Sequence, residues 1–223
     1  MEQEPAKKLT ALTIEAFKNI TAEDVIILDT RPAGDFTAGF VPGSIFIGLE
    51  GRFEEWAAAI LPANKNMVLI TAPGAETATA GKLYRMGFDS IQGYLEGGFD
   101  TWVNAGEPVD LVIDIEADEL AMDIPHDKNL LIVDVRRDTE FADGHVKGAV
   151  NIPLDELTDV AVIAEFDDHK NLYIHCAAGY RSVIAASLLK KHGLHNLRNI
   201  VGGWEEIKNQ GKITVEKDKT AMN

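Results

Sequence analysis

The chain contains one cysteine, Cys176, and its surroundings are those from which a protein can build a reactive thiolate. A short apolar run, 172–176, carries the thiol into a loop of small residues, and a helical pattern follows at 182–191. The free amides of such a loop and of a first helical turn point toward any anion held there. Arg181 adds a cation five positions after the thiol. Free cysteines are often simply buried, but this setting favours a nucleophile.

The composition of the chain limits the kinds of partner it can bind and the cellular compartment in which it is expected. The 223 residues carry a formal net charge of −15, which argues against nucleic acid and anionic membrane surfaces as partners. No apolar run approaches the roughly 20 residues that span a membrane, and the first residues lack the apolar core of a signal peptide. One cysteine allows no internal disulfide, and the histidines lack metal-ligand spacing. We therefore expect a cytoplasmic protein that uses neither a metal nor an organic cofactor.

The chain is an internal duplication. Asp134 lies 105 positions after Asp29 (134 − 29), and several further pairs keep this offset. They are Arg31 with Arg136, Phe36 with Phe141, Gly39 with Gly144, Gly43 with Gly148, and Gly97-Gly98 with Gly202-Gly203. A repeat of this length is the size of a domain. We predict two homologous domains, residues 1–110 and residues 111–223.

Each copy alternates short apolar runs with helical patterns. The runs 25–29, 67–71, 130–135 and 172–176 are nearly continuous in apolar residues, as strands buried on both faces are. This alternation predicts α/β domains with parallel sheets. Ligands of such sheets bind at the carboxyl ends of the strands, which is where Cys176 falls.

Four segments of the second copy together carry a family signature. They are Asp134-Val135-Arg136 with Glu140-Phe141, the run 144–153, the Cys176 loop, and Gly202-Gly203-Trp204. This set resembles the rhodanese family, the thiosulfate and persulfide sulfurtransferases. The resemblance implies that each domain is a five-stranded parallel sheet flanked by helices, and that Cys176 carries sulfane sulfur as a persulfide. It also implies small sulfur donors, with acceptor thiols or cyanide, as partners.

The predicted site centres on Cys176 as nucleophile and sulfur carrier. The planar guanidinium of Arg181 is predicted to hold the oxygens of thiosulfate or of a substrate carboxylate. The backbone amides that complete the predicted substrate-binding loop are those of Ala177, Ala178, Gly179 and Tyr180. The Tyr180 side chain is expected at the rim of the pocket.

Asp134 and Arg136 are predicted to support the site rather than to react. They recur as Asp29 and Arg31 in a copy without a thiol, which favours a structural role over the alternative of direct catalysis. We expect Arg136 to pair with Glu140 and Asp134 to cap local backbone. Structural roles are also predicted for three other residues, His145, His175 and Trp204.

The first copy departs from the family pattern in its loop. At the common offset, Thr71 stands for Cys176 and Glu76 for Arg181, and Pro73 removes one amide. A hydroxyl cannot replace a thiolate as a sulfur carrier, and a carboxylate repels an anion. The first copy thus resembles the inactive first domains of tandem rhodaneses.

A narrower similarity concerns the segments 39–45 and 51–56, which are similar to the rhodanese pair fused behind persulfide dioxygenases. The chain lacks the His-x-His-x-Asp-His metal motif of those dioxygenases. We therefore predict either the rhodanese part of such a fusion, with a fused or associated persulfide dioxygenase as partner, or a stand-alone relative.

Two other functions remain open from sequence. The rhodanese fold also hosts phosphatases and arsenate reductases, but four residues separate Cys176 from Arg181, whereas the family phosphatases have five. The second alternative is a non-catalytic module in which both domains bind partners. The intact loop of the second copy favours the sulfurtransferase.

Overall fold

The computed structural model of the protein describes residues 9–21 and 24–218. The chain divides into two compact units. The first comprises Met1–Phe36 and Phe40–Asp110, and the second comprises Thr37–Gly39 and Leu111–Asn223. None of the helices in these described ranges has the length and apolar character needed to cross a membrane.

The first repeat contains five strands and five helices among its described residues. In chain order they are β1 (Ala11–Leu12), α1 (Ile14–Thr21), β2 (Ile26–Asp29), α2 (Ala33–Ala38), β3 (Ile45–Phe46), α3 (Phe53–Ile60), β4 (Met67–Ile70), α4 (Glu76–Arg85), β5 (Ile91–Leu95) and α5 (Gly98–Asn104).

The second repeat follows the same plan with two additional short strands and a 3₁₀ helix, Leu154–Thr158. Its elements are β6 (Ile113–Ile115), α6 (Ala117–Asp123), β7 (Leu130–Asp134), α7 (Asp138–Ala142), β8 (His145–Val146), β9 (Val150–Asn151), α8 (Val160–Ile163), β10 (Asn171–His175), α9 (Tyr180–Lys191), β11 (Leu197–Ile200), α10 (Trp204–Ile207) and β12 (Val215–Glu216).

Both repeats form a five-stranded sheet in which every strand pair is parallel. The first sheet has the order β1-β5-β4-β2-β3 and the second β6-β11-β10-β7-β9. Strands β8 and β12 pair separately and antiparallel. The predicted architecture, two α/β domains with five-stranded parallel sheets flanked by helices, is confirmed.

The apolar runs of the sequence become the inner strands. Every residue of β2 and β4 is buried, and in the second sheet β10 lies between β7 and β11. Strands buried on both faces read as nearly continuous apolar runs, which explains why these segments do not alternate. The other inner strands, β5 and β11, contain polar residues and glycine and show no such run. Tyr173 and Ile132 of the inner strands contribute to a buried cluster of the second unit together with Ile115 and Ile200.

The connection from β10 to α9 is the part of the fold that positions the site. Strand β10 ends at His175, and α9 begins at Tyr180 and runs for 12 residues. All residues of α9 from Ser182 to Leu189 are buried. A helix packed this firmly holds its first turn, and the loop before it, in a fixed position.

Candidate active site

Cys176 lies directly after β10, at the carboxyl edge of the second sheet. Its thiol is free and its residue surface is 1% exposed. The predicted location at a strand end therefore holds.

Gly179 gives the thiol its closest polar contact. Its backbone N–H donates to Cys176 Sγ at 3.2 Å. Gly179 has a left-handed backbone with φ of 96°, a conformation that other residues rarely adopt and that ends the loop just before α9. The sulfur thus sits at the amino end of a 12-residue helix, where free amides and the helix dipole stabilise negative charge.

Ser182 is a site residue that the sequence reasoning did not single out. Its hydroxyl lies 3.7 Å from Cys176 Sγ and donates to the Gly179 carbonyl at 3.1 Å. Ser182 is fully buried in the first turn of α9. The signal that could have found it is its position six residues after the thiol, at the start of the predicted helix 182–191.

The other loop residues are more exposed than Cys176. Ala178 is exposed, while Ala177 and Tyr180 are half-buried. Tyr180 is therefore partly accessible, and its predicted position at a pocket rim stays a prediction. None of the side chains of 177–180 carries a charge.

The first residues of α10 donate hydrogen bonds to the carbonyl groups of the Cys176 loop. The Cys176 carbonyl accepts the N–H of Trp204 at 2.7 Å, and the Ala177 carbonyl accepts the N–H of Glu205 at 3.1 Å. Gly203 makes this approach possible, because a Cβ at that position would lie 2.4 Å from the Cys176 carbonyl oxygen. The double-glycine turn predicted from the repeat is therefore part of the support of the thiol loop.

Asp134 and Arg136 form a buried ion pair. The Nε of Arg136 donates to both carboxylate oxygens at 2.9 and 3.0 Å, and its Nη2 donates to Oδ2 at 2.6 Å. The Asp134 carboxylate also accepts the backbone N–H of Arg136 at 3.0 Å, which is the predicted backbone cap. The guanidinium packs over the ring of Trp204, 4.5 Å from its centre.

The predicted pairing of Arg136 with Glu140 is wrong. The Arg136 guanidinium turns back to Asp134 and donates in addition to the carbonyl of Gly144 at 2.7 Å. Residues four apart meet on a helix, but Arg136 precedes α7 and lies in the turn after β7. The partner of Arg136 is the carboxylate of Asp134, two residues away, which is buried, whereas that of Glu140 is partly exposed.

Glu140 instead binds Arg181. Arg181 Nη1 donates to one carboxylate oxygen at 2.8 Å and Nη2 to the other at 2.7 Å. The hydrogen bonds from Arg181 are the main cause that lowers the pKa of Glu140 to about 2, and the same carboxylate raises the pKa of Arg181. The guanidinium that the sequence assigns to substrate oxygens is thus engaged by a protein carboxylate. The sequence separation of the pair, 41 residues, left no local pattern by which to find it.

His175 lies beneath the site as predicted for a strand residue. It is fully buried, its Nδ1 is 3.3 Å from the Cys176 carbonyl oxygen, and its Nε2 is 3.6 Å from Asp134 Oδ2. Burial lowers its pKa, against the opposing effect of Asp134. The imidazole therefore contacts the backbone of Cys176 and the Asp134 carboxylate, which fits the predicted structural role. His145 is buried too and stacks on Phe141 with ring centres 3.8 Å apart.

The loop of the first unit shares a left-handed glycine with the second loop but differs in its contacts, and its helix α4 begins one position later than α9 at the common offset. Thr71 follows β4 and is buried, and Gly74 has the same left-handed conformation as Gly179, with φ of 85°. The Gly74 N–H, however, donates to Glu76 Oε1 at 3.1 Å. A carboxylate of the chain therefore occupies the amide that the second unit offers to its sulfur.

The arrangement around Cys176 fits a nucleophile that carries a bound anionic group. The Gly179 amide donates to the sulfur, and the loop side chains from 177 to 180 carry no charge that would repel an anion. The groups of three or more His, Cys, Asp or Glu side chains that bind metal ions do not occur among residues 9–21 and 24–218.

Comparison with known proteins agrees with the geometry. A family model described as the rhodanese-like domain matches residues 13–105 and again 116–210. A Schizosaccharomyces pombe protein named "Putative thiosulfate sulfurtransferase, mitochondrial" is 28% identical over 91 residues, 36% of this chain and 64% of the relative. A Yersinia pestis tRNA uridine(34) hydroxylase is 21% identical over 214 residues, 90% of this chain and 59% of the relative.

Among solved structures, a rhodanese-like domain protein from Staphylococcus aureus is 30% identical and has a TM-score of 0.43, covering 48% of this chain and all of the smaller protein. The chain spans between 55% and 65% of the length of the first curated relatives that it matches. The names of these relatives differ in activity. The two matches of the family model, in the repeats that the sequence and the fold both show, establish that this chain belongs to the rhodanese family.

Proposed function

We propose that the protein is a sulfurtransferase that moves sulfane sulfur through a persulfide on Cys176. The observation that carries the proposal is the hydrogen bond from the Gly179 N–H to Cys176 Sγ at 3.2 Å, at the amino end of α9. This contact favours an anionic sulfur, and it would do the same for a persulfide placed in the loop. Family membership and a relative named as a thiosulfate sulfurtransferase support the same reaction.

The reaction has two covalent steps. The Cys176 thiolate attacks the outer sulfur of the donor, so that a new S–S bond forms on the enzyme while the S–S bond of the donor breaks and its remainder leaves with the electron pair. An acceptor thiolate or cyanide then attacks the outer sulfur of the enzyme persulfide and regenerates the Cys176 thiolate. Neither step changes the total number of electrons, so the reaction needs no external oxidant.

The fold supports each step with backbone groups. The amide of Gly179 stabilises the charge on sulfur, Ser182 fixes the Gly179 carbonyl, and the turn before α10 fixes the Cys176 carbonyl. Because these groups are already in place, they need no reorganisation when charge moves along the sulfur chain.

A phosphatase or arsenate reductase is less well supported. An arginine recognises a phosphate-like group through two parallel N–H···O bonds, and the Arg181 guanidinium already makes such a pair of bonds with Glu140. Four residues separate Cys176 from Arg181, a loop one residue shorter than that of the family phosphatases. We therefore place the chain on the sulfur-transfer side, with small sulfur donors and thiols as its partners. Its predicted cytoplasmic location and its predicted link to a persulfide dioxygenase remain predictions.

The test is the direct detection of sulfur on Cys176. After exposure to thiosulfate or to a small persulfide, the wild-type mass should rise by about 32 Da on the peptide with Cys176. Cys176→Ser should show no gain, while the matched variant Thr71→Ser in the first loop should load as the wild type does. Sulfur transfer by Cys176→Ser would refute both the mechanism and the prediction that the first domain is inactive.

A further inference from the structure

The Arg181–Glu140 pair removes the one cation that the loop motif provides. Both terminal nitrogens of Arg181 are bound to the Glu140 carboxylate, which is held further by the backbone N–H of Arg137 at 3.1 Å. The side chain of Arg181 is 15% exposed and that of Glu140 is 34% exposed, so water screens the pair only in part. The charges of Arg181 and Glu140 therefore cancel at the start of α9.

The second arginine beside the site is committed as well. Arg136 binds Asp134 through three contacts of 2.6 to 3.0 Å, deep below the surface. The loop side chains from 177 to 180 are uncharged, and burial lowers the pKa of His175, which disfavours its charged form. These two arginines and their carboxylates thus form two neutral pairs, within a chain whose formal net charge is −15.

Donors of sulfane sulfur differ in the charge that they present to such a site. Thiosulfate brings two negative charges, which its transferred sulfur shares with the oxygens that leave as sulfite. A small organic persulfide brings at most one, on the sulfur that is transferred, and leaves as a thiolate. A site that offers amides to the transferred sulfur, and whose loop arginine is already paired, suits the second donor.

We propose that Glu140 is a specificity-determining residue that, by holding Arg181, directs the enzyme toward low-charge persulfide donors and away from thiosulfate. The inference rests on the proposed sulfur transfer through Cys176. Thiosulfate could use Arg181 only by displacing Glu140, and the displaced carboxylate would then face a dianion. A persulfide needs no such exchange. The sequence-based role of Arg181 as a fork for donor oxygens is, under this proposal, blocked in the wild type.

The test measures the loading of Cys176 separately for each donor, in single turnover by mass. The probes are thiosulfate and the persulfide of 2-mercaptoethanol, whose organic part is uncharged. Glu140→Gln should raise kcat/KM for thiosulfate loading about tenfold, as expected when one charge-assisted bond becomes available, and should leave persulfide loading within twofold. The matched control is Asp35→Asn, at the equivalent position of the first repeat, which removes the same charge and should change neither donor.

Single and double variants of Glu140 and Arg181 distinguish the proposed role of Glu140 from direct binding of thiosulfate by Arg181. Arg181→Gln alone leaves Glu140 uncompensated and should slow thiosulfate loading, whereas Glu140→Gln with Arg181→Gln restores neutrality and should return it close to the wild-type rate. If Arg181 held thiosulfate in the wild type, the double variant would stay as slow as Arg181→Gln, and that result would overturn the proposal. So would thiosulfate loading of Glu140→Gln at the wild-type rate.

The wild type alone provides a measurement that does not depend on variants folding. A free arginine would make thiosulfate loading fall as salt rises, because salt screens the attraction. With the pair closed, the net repulsion of the chain is what salt screens, and loading should stay level or rise; a steep fall would contradict the proposal. If no donor loads Cys176 at all, the proposed function fails, which is distinct from loading without donor selectivity.

Discussion

Gly203→Ala should disable Cys176 without touching its side chain. Gly203 has φ of 57° and ψ of −140°, a conformation that is essentially restricted to glycine. The methyl group of an alanine at this position would lie 2.4 Å from the Cys176 carbonyl oxygen and 3.0 Å from the carbonyl carbon. The clash is with backbone, so no side-chain rotation relieves it.

The size of the effect follows from these distances. Backbone strain of this kind costs about 1–3 kcal/mol, and the contact adds to it, so we expect a loss of about 3 kcal/mol and a Tm lower by about 12 °C. Restoring an ordinary contact of 3.4 Å from one of 2.4 Å requires the Cys176 peptide to move by about 1 Å. A displacement of that size should lower the rate of Cys176 loading about a hundredfold.

Gly98→Ala is the matched control, because Gly98 occupies the equivalent turn of the first unit. Its added Cβ would lie 3.1 Å from the Thr71 carbonyl oxygen at φ of 64°, so it too should be destabilised. Calorimetry should therefore show a lower Tm for both variants, while mass spectrometry should show slow loading for Gly203→Ala alone. If Gly203→Ala loses stability yet loads Cys176 within threefold of the wild-type rate, the position of the loop backbone does not govern the chemistry.

Three further outcomes are expected. Thr71→Cys, made in a Cys176→Ser background, should gain no sulfur by mass, because the first loop gives its Gly74 amide to a carboxylate. Glu140 has a pKa of about 2 in the fold against a usual 4.5, so the stability that its charged form contributes is complete above about pH 4.5 and is lost as pH falls toward 2. The free energy of unfolding of Glu140→Gln, measured in urea, should therefore decline less over that range than that of the wild type. An identical decline in both proteins would contradict the assignment. Tyr173→Phe removes a hydroxyl that donates to Asp123 at 2.8 Å, so the free energy of unfolding measured in urea should fall by about 1 kcal/mol. An unchanged free energy of unfolding would contradict this expectation.

The sequence predicted two inner strands of each sheet, and it missed the inner strands β5 and β11 and the edge strands β1, β3, β6 and β9. Strands β2, β4, β7 and β10 appear as apolar runs because helices cover both of their faces. The outer strands β3 and β9 have two residues each, too few to show a period of two or a continuous run. Their place is set by pairing with β2 and β7, a long-range effect that no local pattern reports.

Some residues of the site could be predicted from the sequence and others could not. The thiol, the loop and the helix start were predictable because they are contiguous in sequence and each has a local physical reason. The partner of Arg181 was not, because Glu140 lies on another element and only the fold brings the two together. The error on Arg136 has the same origin, since its spacing from Glu140 suits a helix that does not begin until Asp138.

The two repeats together separate what the fold needs from what the chemistry needs. In the first unit, Arg31 binds Asp29 through contacts of 2.7 to 3.1 Å and packs over Phe99 at 4.1 Å, which reproduces the Asp134–Arg136–Trp204 arrangement. This pair persists where the loop has no thiol, so its role is to hold the strand end and the turn beside it. What differs is the side chains of the loop, where a carboxylate takes the glycine amide in one unit and a thiol takes it in the other. The chemistry of the chain therefore depends on a few loop residues set on a framework that both units share.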